Sequence, residues 1–600
     1  MSTTADLIPA EQAKTLTGLF LERVRRTPNG IAYVQFDPVG GQWVETSWAE
    51  AAREIGRWQA ALRQEGLARG DRVALQMANR REWGYFDLAA LGLGLVTVPL
   101  YTNDRPGNVR HILEDAGVRL LLLETGQELA ELAPIAETLG RLTRVLVLAP
   151  DEQTAPLPAT TVADWLPREA EPPVDLVGDG GALATIVYTS GTTGPPKGVM
   201  LSHRNVLWNA EAVLSCIQAY PTDRFLSFLP LSHTLERTGG HFLPMMAGAT
   251  VAYARSIPQL AEDLGIVRPT VMISVPRIFE RVHARIRDKL AQGPAVARWL
   301  FAAALAVGWR RFEHAQRRRG WSPDLLLAPL LDRLVGGKVR ERLGGRLRIA
   351  VSGGAPLAGD VARFFIGLGI PLVQGYGLTE ASPVVSVSPL EDNIPESVGP
   401  PLPGVELRVG AQDELLVRSP GIMQGYWGLP QASAAAVDPD GWLHTGDQVR
   451  WDGRHLFITG RIKELIVLSN GRKVPPGDLE LAIGLDPLFA QTLVIGEGKP
   501  FLAALVVLDP DAYAALAKEK GLATDLAAAR QDPRLESILR ERIAARLEHF
   551  PGHAKIRRVA VVERPWSIED GTMTPTMKLK RSLILAQYQG EVERLYAGHV

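Results

Sequence analysis

The run Tyr188-Thr-Ser-Gly-Thr-Thr-Gly-Pro-Pro-Lys-Gly-Val-Met200 decides how the rest of the chain is read. It follows an apolar segment, Ala184–Val187, that predicts a strand, and it precedes a helix predicted to start near His203. Gly191, Gly194 and Gly198 admit backbone conformations closed to other residues and let amides close on a ligand. Ser190, Thr192 and Thr193 add hydroxyl donors, and Lys197 adds a positive charge. A row of N–H groups beside a cation is a cradle suited to a polyphosphate. A merely flexible hairpin would need neither the hydroxyls nor the lysine. Nor is this a Walker A loop, in which Ser or Thr follows the lysine; here Gly198 does.

Around this loop lie 600 residues, which at about 150 per domain imply three or four packed units. Lys and Arg total 65 against 66 Asp and Glu, so no bulk charge draws the chain to nucleic acid or to a membrane. The lone cysteine, Cys216, excludes an intramolecular disulfide framework and a multi-thiolate metal site. Met1–Lys14 has no basic start followed by an apolar core, and the longest apolar stretch, Leu88–Tyr101, is too short to span a bilayer. The expectation is a cytoplasmic protein, with peripheral contact at the inner face of a membrane left open.

Apolar runs such as Arg119–Glu124, Val145–Leu148, Thr270–Val275 and Arg346–Ser352 alternate with amphipathic stretches such as Trp48–Leu67 and Pro106–Asp115. That alternation predicts α/β architecture with parallel sheets covered on both faces. From Gly404 to Arg461 shorter strands and tight turns predict a small barrel-like subdomain at the end of a large N-terminal body, residues 10–461. A fresh alternation over 462–600 predicts a small, mobile α/β C-terminal domain.

The loop resembles the phosphate loop of adenylate-forming enzymes, the family of acyl-CoA synthetases, luciferases and nonribosomal adenylation domains. Further motifs follow in the family's order: Ser352-Gly-Gly-Ala355, Gln374-Gly-Tyr-Gly-Leu-Thr-Glu380, Gly441-Trp-Leu-His-Thr-Gly-Asp447, Gly460-Arg-Ile-Lys-Glu464, Ser469-Asn-Gly-Arg-Lys473 and Thr574-Pro-Thr-Met-Lys-Leu-Lys-Arg581. The resemblance implies that ATP is held by Thr189, Ser190, Gly191, Thr192, Thr193, Gly194 and Lys197. Adenine would lie on Tyr376, between Gly353, Gly354 and Ala355 on one side and Gln374, Gly375 and Gly377 on the other. Thr379 would donate to the α-phosphate, and Glu380 would bind Mg2+, a hard cation that prefers oxygen ligands. Asp447 and Arg461 would hold the ribose. Lys578 aligns with the catalytic lysine, with Lys580 and Arg581 close enough to stay as alternatives. Lys463 matches the interdomain hinge, and Gly471 would approach coenzyme A once the small domain had turned.

The implied reaction has two halves, attack of a carboxylate on ATP and then of the coenzyme A thiol on the acyl-adenylate. Phe228-Leu-Pro-Leu-Ser-His-Thr-Leu-Glu-Arg237 resembles the long-chain fatty-acid subgroup and places His233 at the acyl entrance; a helix-capping histidine is the plainer alternative. Arg237 stands four residues after His233, where a tryptophan gate would be doubtful. Residues Arg281–Leu343 form a long helical insertion with Trp299, Trp309, Phe312 and Arg317–Arg319. It reads either as a basic membrane-surface helix or as a helix packed on the protein with a solvated arginine face. A fatty-acyl-AMP ligase that loads a carrier protein, a CoA ligase for another acid and a non-catalytic binding relative are the competing functions.

Overall fold

Local chemistry marks where the helices begin. Ser47 and Glu50 close a reciprocal cap at the start of helix Trp48–Gln64, Thr125 and Glu128 do the same for Gly126–Glu131, and Ser202 with Asn205 opens His203–Cys216. Pro106 occupies the first turn of Pro106–Asp115, where its missing N–H costs nothing. These elements come from a computed structural model that describes residues 5–149, 158–189, 195–574 and 577–597.

Two eight-stranded sheets form the body. One runs in the order 384–387, 372–377, 349–352, 271–274, 224–227, 250–253, 31–37, 42–47, parallel in its interior and antiparallel at both edges. The other runs 425–426, 197–202, 183–189, 96–100, 72–76, 118–125, 144–149, 160–161, again parallel through the middle. Leu75, Leu88, Leu122, Val187, Phe225 and Ile349 belong to one buried cluster, so the two sheets share a core.

The expected barrel-like unit is a four-stranded antiparallel sheet, Glu406–Val409, Glu414–Arg418, Leu443–Trp451 and Leu456–Arg461 in that order. Its outer strands each pair with one neighbour, so among the described residues it is open rather than closed; four short strands are too few to wrap around an interior. Leu415, Val417, Leu443 and Leu456 join the core of the body. Beyond Arg461, strands Phe489–Ile495, Leu502–Leu508 and Ile556–Val561 form a separate three-stranded sheet with clusters of its own around Leu479, Val506 and Leu539, and around Leu505 and Trp566.

The insertion is helical, with Pro276–Ala291 and Ala295–Ala315 followed by a run of short turns from Pro323 to Arg342. Its arginine triplet is not a uniform solvated face. Arg318 bonds Asp392 at 2.9 Å and the Asn393 carbonyl at 2.6 Å, and Arg319 pairs with Glu313. Trp309 and Phe312 are half-buried against each other, with Arg363 over the Trp309 ring.

Candidate active site

Antiparallel pairing sets Thr189 opposite Lys197, so the two ends of the hydroxyl- and glycine-rich loop stand side by side on strands Leu183–Thr189 and Lys197–Ser202. Tyr188 donates to Asp115 at 2.5 Å, and the Pro196 carbonyl meets His111 Nε2 at 3.1 Å, so the loop is fastened on both sides of its base. Ser190, Gly191, Thr192, Thr193 and Gly194 lie outside the described residues.

Lys197 opens onto a cleft of about 1340 Å3 that also takes in Thr189, Gly353, Gly354, Ala355, Gln374, Gly375, Tyr376, Gly377, Thr379, Glu380, Asp447, Arg461, Lys463 and Lys578. The chain must bend sharply around it. Gly354 has φ +80°, and a Cβ on Gly377 would fall 2.1 Å from the Pro383 carbonyl oxygen. Gly354 supplies the left-handed turn, and Gly377 lets two backbone segments of the wall close on one another.

Polar groups are arranged in two sets. At one end the Lys197 ammonium lies 5.2 Å from the ring centre of Tyr426, and the Tyr426 hydroxyl donates to Glu380 Oε1 at 2.8 Å. Burial, reinforced by the Glu380 charge, pushes the Tyr426 hydroxyl well above its ordinary pKa, so it stays a donor. In the other set, Asp447 is buried and receives the Tyr376 hydroxyl at 2.6 Å and Arg461 Nε at 2.8 Å. Glu414 steadies that turn by accepting the Gly446 N–H at 3.0 Å, and Thr445 Oγ1 accepts from Asp447 N at 3.1 Å. Tyr376 is thereby held by its hydroxyl while its ring borders the cleft.

Lys578 reaches this cleft from the C-terminal unit. Burial, then the Arg461 charge, draws its pKa down, against Asp447, Glu464 and Glu380, which hold it up. Lys580 borders the same cleft, and its charge also bears on Asp104, whose carboxyl burial nonetheless raises. Arg581 is spent on Glu480 at 2.5 Å. All three line the cleft, and Lys578 is the one whose charge is set against Asp447, Glu464 and Glu380. Gly471, with φ +78°, lies in an exposed turn outside it, and Lys463 sits in the single turn Ile462–Glu464 at its edge.

His233 takes two parts in the structure. It caps the turn Thr234–Glu236, Nδ1 accepting the Leu235 N–H at 3.1 Å, and it borders the cleft. With Nδ1 an acceptor, the proton resides on Nε2. Burial, helped by the Lys578 charge, lowers its pKa to about 4, so the ring is a neutral donor at physiological pH. From there Leu235, Phe225, Leu243, Val271, Ile273 and Ile217 carry the cleft onward as an apolar arm.

Gln374 lines the cleft from strand Leu372–Gly377. Its Oε1 accepts the Leu357 N–H at 3.2 Å and its amide donates to the Pro395 carbonyl, so the side chain links the segment after the turn at Gly353–Pro356 to the one at Pro395. Thr379 is buried, 3.5 Å from Thr234 Oγ1. Tyr426 and Glu414 were not read from sequence; Tyr426 lies between Gly425 and Gly428, and only folding brings it beside Glu380 and Glu414 beside Gly446.

Among the described residues no three His, Cys, Asp or Glu side chains converge as a metal cage. Mg2+ needs none: it keeps water and phosphate oxygens and takes one or two carboxylates, so Glu380, in one cleft with Lys197, is a fitting donor.

The sequence signature of the AMP-binding enzyme family is matched by residues 20–427, and that of the AMP-binding enzyme C-terminal domain by residues 463–600. The chain belongs to the AMP-binding enzyme family. Among curated relatives of this AMP-binding enzyme, the long-chain-fatty-acid–CoA ligase FadD15 of Mycobacterium bovis is 35% identical over 97% of each chain. The peroxisomal long chain acyl-CoA synthetase 7 of Arabidopsis thaliana is 29% identical over 94% of this chain and 83% of its own. The A domain of carboxylic acid reductase from Segniliparus rugosus, solved with AMP and a co-purified carboxylic acid, shares the fold with TM-score 0.75 at 23% identity, over 98% of this chain and 96% of that one.

Proposed function

We propose that the protein is an AMP-forming ligase that activates a long-chain fatty acid with ATP to an acyl-adenylate, releases pyrophosphate, and transfers the acyl group to coenzyme A with release of AMP. The observation that carries this reading is the shape of one cleft: cations and carboxylates at one end, an apolar arm at the other, and Lys578 from the C-terminal unit where they meet. The full-length likeness to fatty-acid–CoA ligases supports the choice of acid and thiol.

In this reading Lys197 neutralises charge on the phosphates, Asp447 and Arg461 fix the ribose, and the Tyr376 ring lies against the adenine. Mg2+ held by Glu380 would supply further charge neutralisation. The His233 Nε2–H and the Lys578 ammonium orient the fatty carboxylate, whose oxygen forms the new bond to the α-phosphorus while the bond to pyrophosphate breaks. Two anions are brought together in that step, so fixed positive groups do most of the work. Incubation of palmitate with ATP and Mg2+ is expected to release pyrophosphate, with AMP freed only on addition of coenzyme A. AMP release without the thiol, or no pyrophosphate with any acid, overturns the reading.

The second half-reaction calls for a different arrangement, because Lys578 occupies the place near the acyl carbonyl and Gly471 stands outside. Rotation about Lys463 would withdraw the lysine and bring the Ser469–Lys473 turn inward, a hinge of few residues. Lys463→Pro, which fixes φ, is expected to slow thioester formation far more than adenylate formation. Equal losses in the two half-reactions, measured separately, contradict the hinge.

Because His233 is neutral above about pH 4, kcat/KM for the fatty acid is expected to show no limb near pH 6.5. A limb there that disappears in His233→Asn would mean that the ring titrates during catalysis. Peripheral contact with a bilayer suits a substrate carried in lipid.

A further inference from the structure

The helix Ala295–Ala315 is apolar on nearly every side over its first four turns, with Arg298 as the one charge between Ala295 and Trp309. A helix of that composition belongs under cover all round. Protein covers one side: Phe301, Ala304 and Val307 pack with Phe364 and Phe365. The other side is open, Val296 being 74% and Trp299 70% exposed. Among the described residues no helix is long and apolar enough to cross a membrane.

The segment from Pro323 to Arg342 packs against this helix and repeats the pattern. Arg310 and Asp324 pair across the two. Ala328, Leu331 and Val335 turn inward, while Leu326, 72% exposed, and Leu330, 57% exposed, stand in water with Leu327 and Leu334. Two neighbouring elements thus bury one apolar side and leave a second one bare. Scattered exposed leucines need no explanation, but a doubled stripe on adjacent elements does.

Charge selects what covers it. Between Arg281 and Leu343 fourteen Lys and Arg face five Asp and Glu, a net +9 in a chain whose total is −1. The acidic residues are largely spent inside the insertion, on Arg310, Arg319 and Arg340. Arg333, Lys338 and Arg342, on the leucine-bearing segment, are without an acidic partner among the described residues. A second copy of this chain would set +9 against +9 at the same face.

We infer that the leucine ridge 326–334, with Val296 and Trp299, seats the protein on the surface of an anionic lipid bilayer, the leucines entering the acyl boundary and the basic residues meeting the headgroups. A tryptophan at the edge of such a patch suits the headgroup region, and an in-plane helix with apolar and basic faces binds through both terms. This places lipid contact on the ridge rather than on Arg317–Arg319, two of which are engaged with carboxylates. It stands apart from the ligase reading, since seating on lipid requires no turnover.

The test is sedimentation of the full chain with vesicles of phosphatidylglycerol and phosphatidylcholine, beside vesicles of phosphatidylcholine alone. The wild type is expected to partition onto the anionic vesicles, and Leu326→Glu/Leu330→Glu to lose about tenfold or more of that partitioning. Both side chains are exposed, so the unfolding midpoint and the turnover of a short, freely soluble acid are expected to stay unchanged. Arg333→Gln/Lys338→Gln, which leaves the leucines in place, is expected to weaken binding to anionic vesicles only. No partitioning of the wild type, retained partitioning of the leucine variant, or a leucine variant that changes only the oligomeric state would each overturn the inference.

Discussion

Lys578→Met is expected to lower the rate of acyl-adenylate formation by about 10²–10³-fold, the usual consequence of removing one preorganised charged donor from a reacting centre. The ammonium is the group that the C-terminal unit delivers into the cleft, within reach of Asp447, Glu380 and the neutral ring of His233. Burial and Arg461 both act against its charge. A cation held at that cost gains most when a second anion arrives, and the attack of a carboxylate on a polyphosphate provides one. Single-turnover release of pyrophosphate from fatty acid and ATP measures the first step. Transfer to coenzyme A from supplied acyl-adenylate measures the second, and there little change is expected. Lys580→Met, beside Asp104, serves as the contrast and is expected to leave the first step nearly intact. If Lys580→Met shows the large loss and Lys578→Met does not, the roles are reversed. Lys578→Arg is not expected to rescue, because a planar fork cannot take the place of a compact ammonium between those partners.

The pairing of elements with chemistry was readable in the sequence where local rules dominate. Pro106–Asp115 and Leu502–Leu508 have the bounds that their Pro and their apolar run suggest. The strand Val96–Leu100 went unread for a physical reason. Helix Arg81–Gly92 is buried on almost every side and passes through a short turn into an equally buried strand, so no period separates them within Leu88–Tyr101. Helix His203–Cys216 ends before Ala219 because Ile217 turns extended, and Val213 and Ile217 both line the apolar arm. At the site, glycines and charged residues announced themselves by spacing, whereas Tyr426, Glu414 and Asp87 did not. Each works through a partner distant in sequence: Glu380, Gly446 and Arg237. Gln374 shows the converse, a motif residue whose side chain serves the backbone around it.

Asp87→Ala is expected to cost about 3–5 kcal/mol, the penalty for stranding a buried guanidinium. Arg237 stands four residues after His233, where the sequence invites a search for a gate, yet it is buried and points away from solvent. Its Nη2 meets Asp87 Oδ1 at 2.5 Å and Thr97 Oγ1 at 2.8 Å, its Nη1 meets Thr185 Oγ1 at 2.7 Å, and its guanidinium lies 5.3 Å from the Trp83 ring. Asp87 is wholly buried, and burial raises its carboxyl pKa against the pull of Arg237. The pair thus ties helix Arg81–Gly92 and strands Val96–Leu100 and Leu183–Thr189 to the π-helical turn Arg237–Phe242, which sends Thr238 and Gly239 into the wall of the cleft. Removing one member leaves the other charged in a place without water. Removing both, as Asp87→Leu/Arg237→Met, is expected to restore much of the loss, since apolar groups of similar volume suit the site. The urea midpoint of the N-terminal body, read with an unchanged slope, gives the comparison. A single substitution costing under about 1 kcal/mol would show the pair to be solvated like a surface bridge, and the π-helical turn would then need another anchor. A double variant as unstable as the worse single one would mean instead that the hydroxyls of Thr97 and Thr185 depend on the guanidinium more than the guanidinium depends on Asp87.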